Sequence, residues 1–113
     1  MIHQLAMSDA EAHFWNLVHR FSSSYPDVEL GKMMRSDGLK YQGKVFAFFF
    51  RDEMGFRLGA EFDPEAQHIL YAKPLSPFKT KPPLKGWYMI DHREMDKWEK
   101  LTELALQFTK TLT

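Results

Sequence analysis

Between Gly31 and Phe50 the chain reads GKMMRSDGLKYQGKVFAFFF, and this run constrains the fold more than any other part of the sequence. Asp37-Gly38 and Gln42-Gly43 each offer a glycine for a backbone position with positive φ. The aromatic and β-branched residues between and after them suit a pleated, half-buried surface. The run therefore predicts the core of a meander. Spacing gives candidate strands near 28–35, 39–41, 44–51 and 54–60, and links this short force neighbouring strands to be antiparallel. Phe48, Phe49 and Phe50 in succession cannot all face one side. Either the central strand is covered on both faces, or one face carries an exposed aromatic patch.

Helical signals flank this core. Ser8-Asp9-Ala10-Glu11 has the form of a capping box, followed by Phe14, Leu17, Val18 and Phe21 at the spacing of one buried face, so a helix is predicted over roughly 9–23. Asp63-Pro64-Glu65 predicts a short second helix with Asp63 as N-cap and Ile69 and Leu70 as core anchors. The stretch 73–85, with four prolines and four lysines, reads as a stiff irregular loop, and Gly86–Ile90 as one more strand. Asp91 and Glu94 form a second capping-box-like start, with Met95, Trp98, Leu101, Ala105, Phe108 and Leu112 as the buried stripe of a C-terminal helix. The expected fold is α+β: one domain over 1–113, a small antiparallel sheet of four to five strands, N- and C-terminal helices and a short middle helix, in the order α-β3-α-β-α.

Composition narrows the partners. Fifteen basic and fifteen acidic residues cancel, so no global field holds the chain to a phosphate backbone or an anionic membrane. Without cysteine there is no disulfide, thiolate nucleophile or thiolate metal ligand, which fits a reducing compartment. The start Met1–Asp9 has neither the positive n-region nor the apolar h-region of a secretory leader, and the longest apolar run, Val45–Phe50, is far too short to span a bilayer. A cytoplasmic, non-membrane protein is expected.

The segment Gly31-Lys32-Met33-Met34 through Gly38-Leu39-Lys40-Tyr41-Gln42-Gly43-Lys44-Val45-Phe46-Ala47-Phe48 resembles the N-terminal domain of the TfoX (Sxy) competence-regulator family. There a Lys-Met-Phe-Gly-like stretch leads through a glycine turn into a Gly-Lys-Met-Phe-Ala-like strand. Trp98, Leu101 and Ala105-Leu106 are similar to the last helix of that family. Gly86-Trp87 before it resembles the MmcQ/YjbR-like domains. The likeness covers nearly the whole chain but rests on fold-defining glycines and apolar residues, and the chain departs from it at Arg35-Ser36. It implies a fold and a regulatory or protein-interaction role. It supplies no catalytic residues.

The chemistry-bearing side chains do not assemble into a reaction centre by spacing. His3, His13, His19, His68 and His92 are scattered, and Glu65 with His68 makes only one E-x-x-H where a diiron bundle needs two and further glutamates. Glu61, Asp63 and Glu65 alternate like hard-cation ligands but lack the rest of a calcium loop. No nucleophile elbow and no phosphate-cradling glycine loop occurs, so no enzyme activity, metal or cofactor is expected. The most suggestive set is Lys73, Lys79, Lys81 and Lys85 with Trp87 and Tyr88 as neighbouring aromatics, in a stretch without Asp or Glu between Glu65 and Asp91. Cations beside aromatic faces suit nucleic acid or a phosphate-bearing ligand. The plainer reading is a solvated loop.

The leading expectation is a non-enzymatic regulatory or interaction module with a protein partner. Weak nucleic-acid binding through loop 73–85 and a small-molecule pocket between sheet and helices are the alternatives. Open sheet edges also predict a homodimer.

Overall fold

The structure is a computed structural model that describes residues 7–112; His3 and most of the stretch read above for a leader lie outside them. Helix α1 (Asp9–Ser24) starts where the sequence signals it. The Ser8 hydroxyl accepts the Glu11 N–H at 3.0 Å and itself donates to Asp52 at 2.7 Å, tying the helix start to a sheet turn. Phe14, Leu17 and Phe21 are buried on one side of α1.

Four strands follow as a meander: β1 (Val28–Met33), β2 (Ser36–Tyr41), β3 (Lys44–Phe50) and β4 (Glu53–Arg57). Each link is a two-residue turn with positive φ at both central positions: Met34-Arg35, Gln42-Gly43 and Arg51-Asp52. Gln42-Gly43 turns as expected. Asp37-Gly38 does not. Both residues lie inside β2, and the reversal falls earlier, at Met34-Arg35, despite the absence of glycine there.

The sheet then departs from the expected count. Strand β5 (Ala72–Leu75) forms inside the stretch read as irregular loop, and β6 (Leu84–Asp91) runs longer than Gly86–Ile90. The result is one six-stranded antiparallel sheet in the order β1-β2-β3-β4-β6-β5. Pro74 is tolerated because β5 is an edge, where a missing N–H costs no ladder bond. The middle helix shrinks to one 3-10 turn, Glu65–Gln67, with the Asp63 carboxylate accepting the Glu65 N–H at 3.0 Å. Of its two expected anchors Ile69 is buried, but Leu70 is 82% exposed.

Asp91 caps a 3-10 segment, His92–Lys97, by accepting the Arg93 N–H, and α2 (Trp98–Lys110) follows. Trp98, Leu101 and Ala105 are buried as the stripe requires, joined by Thr102 and Leu106. Met95 and Phe108 are only partly buried, and Leu112 is exposed. Both helices cover the same face of the sheet, α1 over β1 and α2 over β3 and β4. There Phe14 stacks on Phe49 at 5.3 Å, and His13 stacks on Trp98 at 5.8 Å. Among the described residues no helix is long and apolar enough to cross a membrane.

Candidate functional site

Among the described residues the opposite face of the sheet carries no helix, and its floor is set by glycine. Cross-strand pairing aligns Gly31, Gly38, Phe48, Gly55, Met89 and Lys73 in one row across all six strands. A Cβ on Gly38 would lie 2.3 Å from the Ala47 carbonyl oxygen and 2.9 Å from the Phe48 Cβ, and one on Gly55 would lie 2.3 Å from the Phe48 ring and 2.9 Å from the Met89 sulfur. Gly55 thus gives the Phe48 ring room to lie down on the sheet, where it is 2% exposed and meets Trp87 at 5.8 Å, while Gly38 lets β2 approach the β3 backbone closely. Gly55→Ala should force that ring away and cost about 1–3 kcal/mol, read from urea melts together with a shift of the Met89 methyl resonance. A change within about 0.5 kcal/mol would mean that the ring has slack.

A bulge decides which aromatics reach this face. Leu39 pairs with Ala47 but Lys40 with Val45, so Phe46 is the extra residue. Phe46, Ala47 and Phe49 all join the helix-side core, while Phe48 belongs to a second cluster on the open side with Leu75, Trp87 and Met89. Of the three consecutive phenylalanines, then, Phe49 faces the helices and Phe48 is covered by its neighbours. Phe50 remains 46% exposed.

Phe48 and Phe50 line a groove of about 610 Å³ with Met34, Leu75 and Met89, and with Ser76 and Pro77 where the next loop begins. Its ionisable lining groups are Glu53 and Lys73, which face each other at 3.4 Å. The two glycine-free turns, Met34-Arg35 and Arg51-Asp52, both lie at this end of the sheet, whereas Gln42-Gly43 lies at the other. Positive φ at Met34, Arg35 and Arg51 is a strained choice for such side chains. One turn projects Met34 to the groove. The other holds the Arg51 guanidinium 4.9 Å from the centre of the Phe50 ring.

The structure divides the basic and aromatic set singled out in the sequence. Lys73 is at the groove, while Lys79, Lys81 and Lys85 are exposed along the connection and the start of β6. Trp87 and Tyr88 face opposite sides. Trp87 is buried on the open face with the Arg57 guanidinium 5.9 Å from its ring, whereas Tyr88 joins the helix-side core and donates its hydroxyl to the Phe62 carbonyl at 3.2 Å. Of these four lysines, Lys81 lies over an aromatic ring, with its Nζ 5.2 Å from the centre of Phe78, itself 52% exposed. His13, His19, His68 and His92 stay dispersed, and among the described residues no three of His, Asp and Glu converge to hold a metal ion.

One buried acid that the sequence offered only as a cap anchors the groove wall. Glu94 is 5% exposed; its carboxylate accepts the Tyr71 N–H and, at 3.0 Å, a Lys97 ammonium proton. Burial pushes this carboxyl up, but the Tyr71 N–H, Lys97 and the Leu70 N–H together hold it below its ordinary value. Tyr71 is gripped twice more. Its carbonyl accepts the Asp91 N–H at 3.0 Å, and its ring lies 3.7 Å from the Arg93 guanidinium. Arg93 in turn donates side-chain and backbone hydrogen bonds to Asp91, holding that carboxyl low as well. The next residues along the chain are β5, which carries Lys73, Pro74 and Leu75 of the groove.

Comparison with protein-family models, with curated proteins and with solved structures finds no match to this chain. The functional reading therefore rests on this face and its chemistry and on the sequence resemblance alone.

Proposed function

We propose that this chain is a non-enzymatic protein-interaction module, regulatory in the manner of the TfoX N-terminal domain it resembles, and that it receives its partner in the groove on the open sheet face. The observation that carries this reading is the half-exposed pair Met34 and Phe50 beside the covered Phe48–Met89 floor. Half-exposed apolar side chains held next to strained backbone support a docking site rather than a core. Methionine adds adaptability to that surface, since its unbranched thioether repacks around different contacts. The ionisable lining groups already neutralise each other, which favours recognition over proton transfer.

The test uses variants that leave the fold intact. Met34→Asn with Arg35→Gly supplies the residues that a turn with two positive φ values prefers, so stability should hold or rise by about 1 kcal/mol while the groove loses its methionine. Peptides selected from a random display library against the native protein should bind it and perturb Phe50 and Met89 resonances. They should bind the turn variant and Phe50→Ser at least several-fold more weakly. Selected peptides that bind both variants as tightly as the native chain would place recognition elsewhere and overturn the proposal.

A further inference from the structure

Resting on that reading, we infer that the occupant of the groove is an amphipathic helix whose flanks are acidic. The groove runs across the strands, from the β1–β2 turn to β5. It spans β2, β3, β4, β6 and β5, and four steps of about 4.8 Å make it roughly 19 Å long. A segment lying across strands meets side chains and not a free ladder of backbone groups. The nearest sheet edge, β5, is interrupted by Pro74 and offers a strand partner little to pair with. The occupant must therefore satisfy its own backbone hydrogen bonds, which a helix does. About 13 helical residues cover that length, enough for apolar side chains on one face to reach Met34 and Phe50 over the covered Phe48, Leu75 and Met89 floor.

Charge sets the flanks. The connection 76–83 leaves the groove wall at Ser76-Pro77 and returns at Leu84, which pairs with Leu75 and packs in the same open-face cluster. It is thus an arm rooted at both ends on this face. Lys79 and Lys81 are exposed on it, Lys73 and Lys85 stand at its two roots, and Arg57 lies on the same face over Trp87. Glu53 is the acidic side chain lining the groove, and it is paired with Lys73. On a chain of zero net charge, residues 73–85 carry four lysines and no Asp or Glu, so the arm and its roots are basic. Carboxylates beside the apolar stripe of a docked helix would meet these ammonium groups, steering association and fixing orientation. A phosphate backbone would meet the same charges, but it has no apolar stripe for Met34 and Phe50.

The probes are three fluorescein-labelled 14-residue peptides that share one stripe of Phe, Leu and Met at helical spacing and differ only in filling the flanks with Glu, Gln or Lys. Anisotropy should show the Glu peptide binding about tenfold more tightly than the Gln peptide at low salt, with the Lys peptide weakest and the advantage shrinking as salt rises. Replacing Lys79, Lys81 and Lys85 together by Gln, on exposed positions outside the groove lining, should bring the Glu peptide down to the Gln level and leave the Gln peptide unchanged. Equal binding of the Glu and Gln peptides, both lost in Phe50→Ser, would overturn the charge inference and leave the groove reading standing. No binding by any of the three would remove the helical occupant, whereas failure of the display-selected peptides tests the groove itself. Submicromolar binding of DNA or RNA lost in the triple lysine variant would replace the acidic helix by nucleic acid. Sedimentation showing a dimer that dissociates in Phe50→Ser would replace it by a second copy of the chain.

Discussion

Replacing Trp98 by alanine should cost about 3–5 kcal/mol, the largest loss expected from a single side chain in this domain. Trp98 is wholly buried at the start of α2, stacked on His13 of α1 and edge-on to Phe49 of β3. It is therefore the residue at which both helices and the central hairpin meet, and its removal leaves a cavity that none of the three can fill alone. Its indole N–H has no hydrogen-bond partner inside this apolar site. A buried unpaired donor is itself unfavourable, so Trp98→Phe should cost far less, about 1–2 kcal/mol, because lost contact area is offset by losing the N–H. Urea melts with an unchanged slope would measure both. A loss below about 1 kcal/mol for the alanine variant would show that the helices can close over the gap.

The helices and the hairpin core were legible because their signals are local. The Ser8 cap, the three-and-four spacing of Phe14, Leu17 and Phe21, and the Gln42-Gly43 turn each depend on residues a few positions apart. Gly38 was misread for a physical reason. A glycine beside aspartate marks positive φ by default, but here its missing side chain makes room for the Ala47 carbonyl and Phe48 of the neighbouring strand, a requirement that exists only once β2 and β3 pair. Leu70 failed in a similar way. A helix would have turned it inward beside Ile69, but the single 3-10 turn ends at His68 in a left-handed conformation and leaves Leu70 in solvent.

The site was legible only in fragments. Three phenylalanines in a row signalled a strand with apolar residues on both faces, yet the bulge at Phe46 decides which of them reach the open side, and no run of sequence announces a bulge. The basic stretch was recognised by composition, which reports charge but not direction. Alternation along β6 sends Trp87 to the open face and Tyr88 to the core, so adjacency in sequence separates the two rings in space. Met34 gave no signal, since its place in the groove depends on a turn formed without glycine.

Glu94→Ala should be the costliest change outside the helix-side apolar core, at about 2–4 kcal/mol, because it leaves the Tyr71 and Leu70 N–H groups without their acceptor and frees Lys97 from its partner. The loss should depend on pH in a definite sense. The folded carboxyl is held below its ordinary value, whereas in the unfolded chain it titrates near 4.3. The unfolded state therefore takes up the proton first as pH falls. The stability supplied by the carboxylate is complete above about pH 5 and is lost as pH drops through the lower folded value. Asp91, also held low, titrates in both proteins and cancels from the difference. Denaturant melts of native and variant chains from neutral pH down to about pH 3 should thus converge; a constant gap would mean that Glu94 acts through packing alone. The structural consequence should be local first. Tyr71 leads directly into β5, so amide exchange at Ala72, Lys73 and Leu75 should quicken in the variant well before exchange at Leu39 or Phe56 in the central strands. That order ties Glu94, on the 3-10 segment ahead of α2, to the wall of the open-face groove. Uniform acceleration across the whole sheet would break the connection.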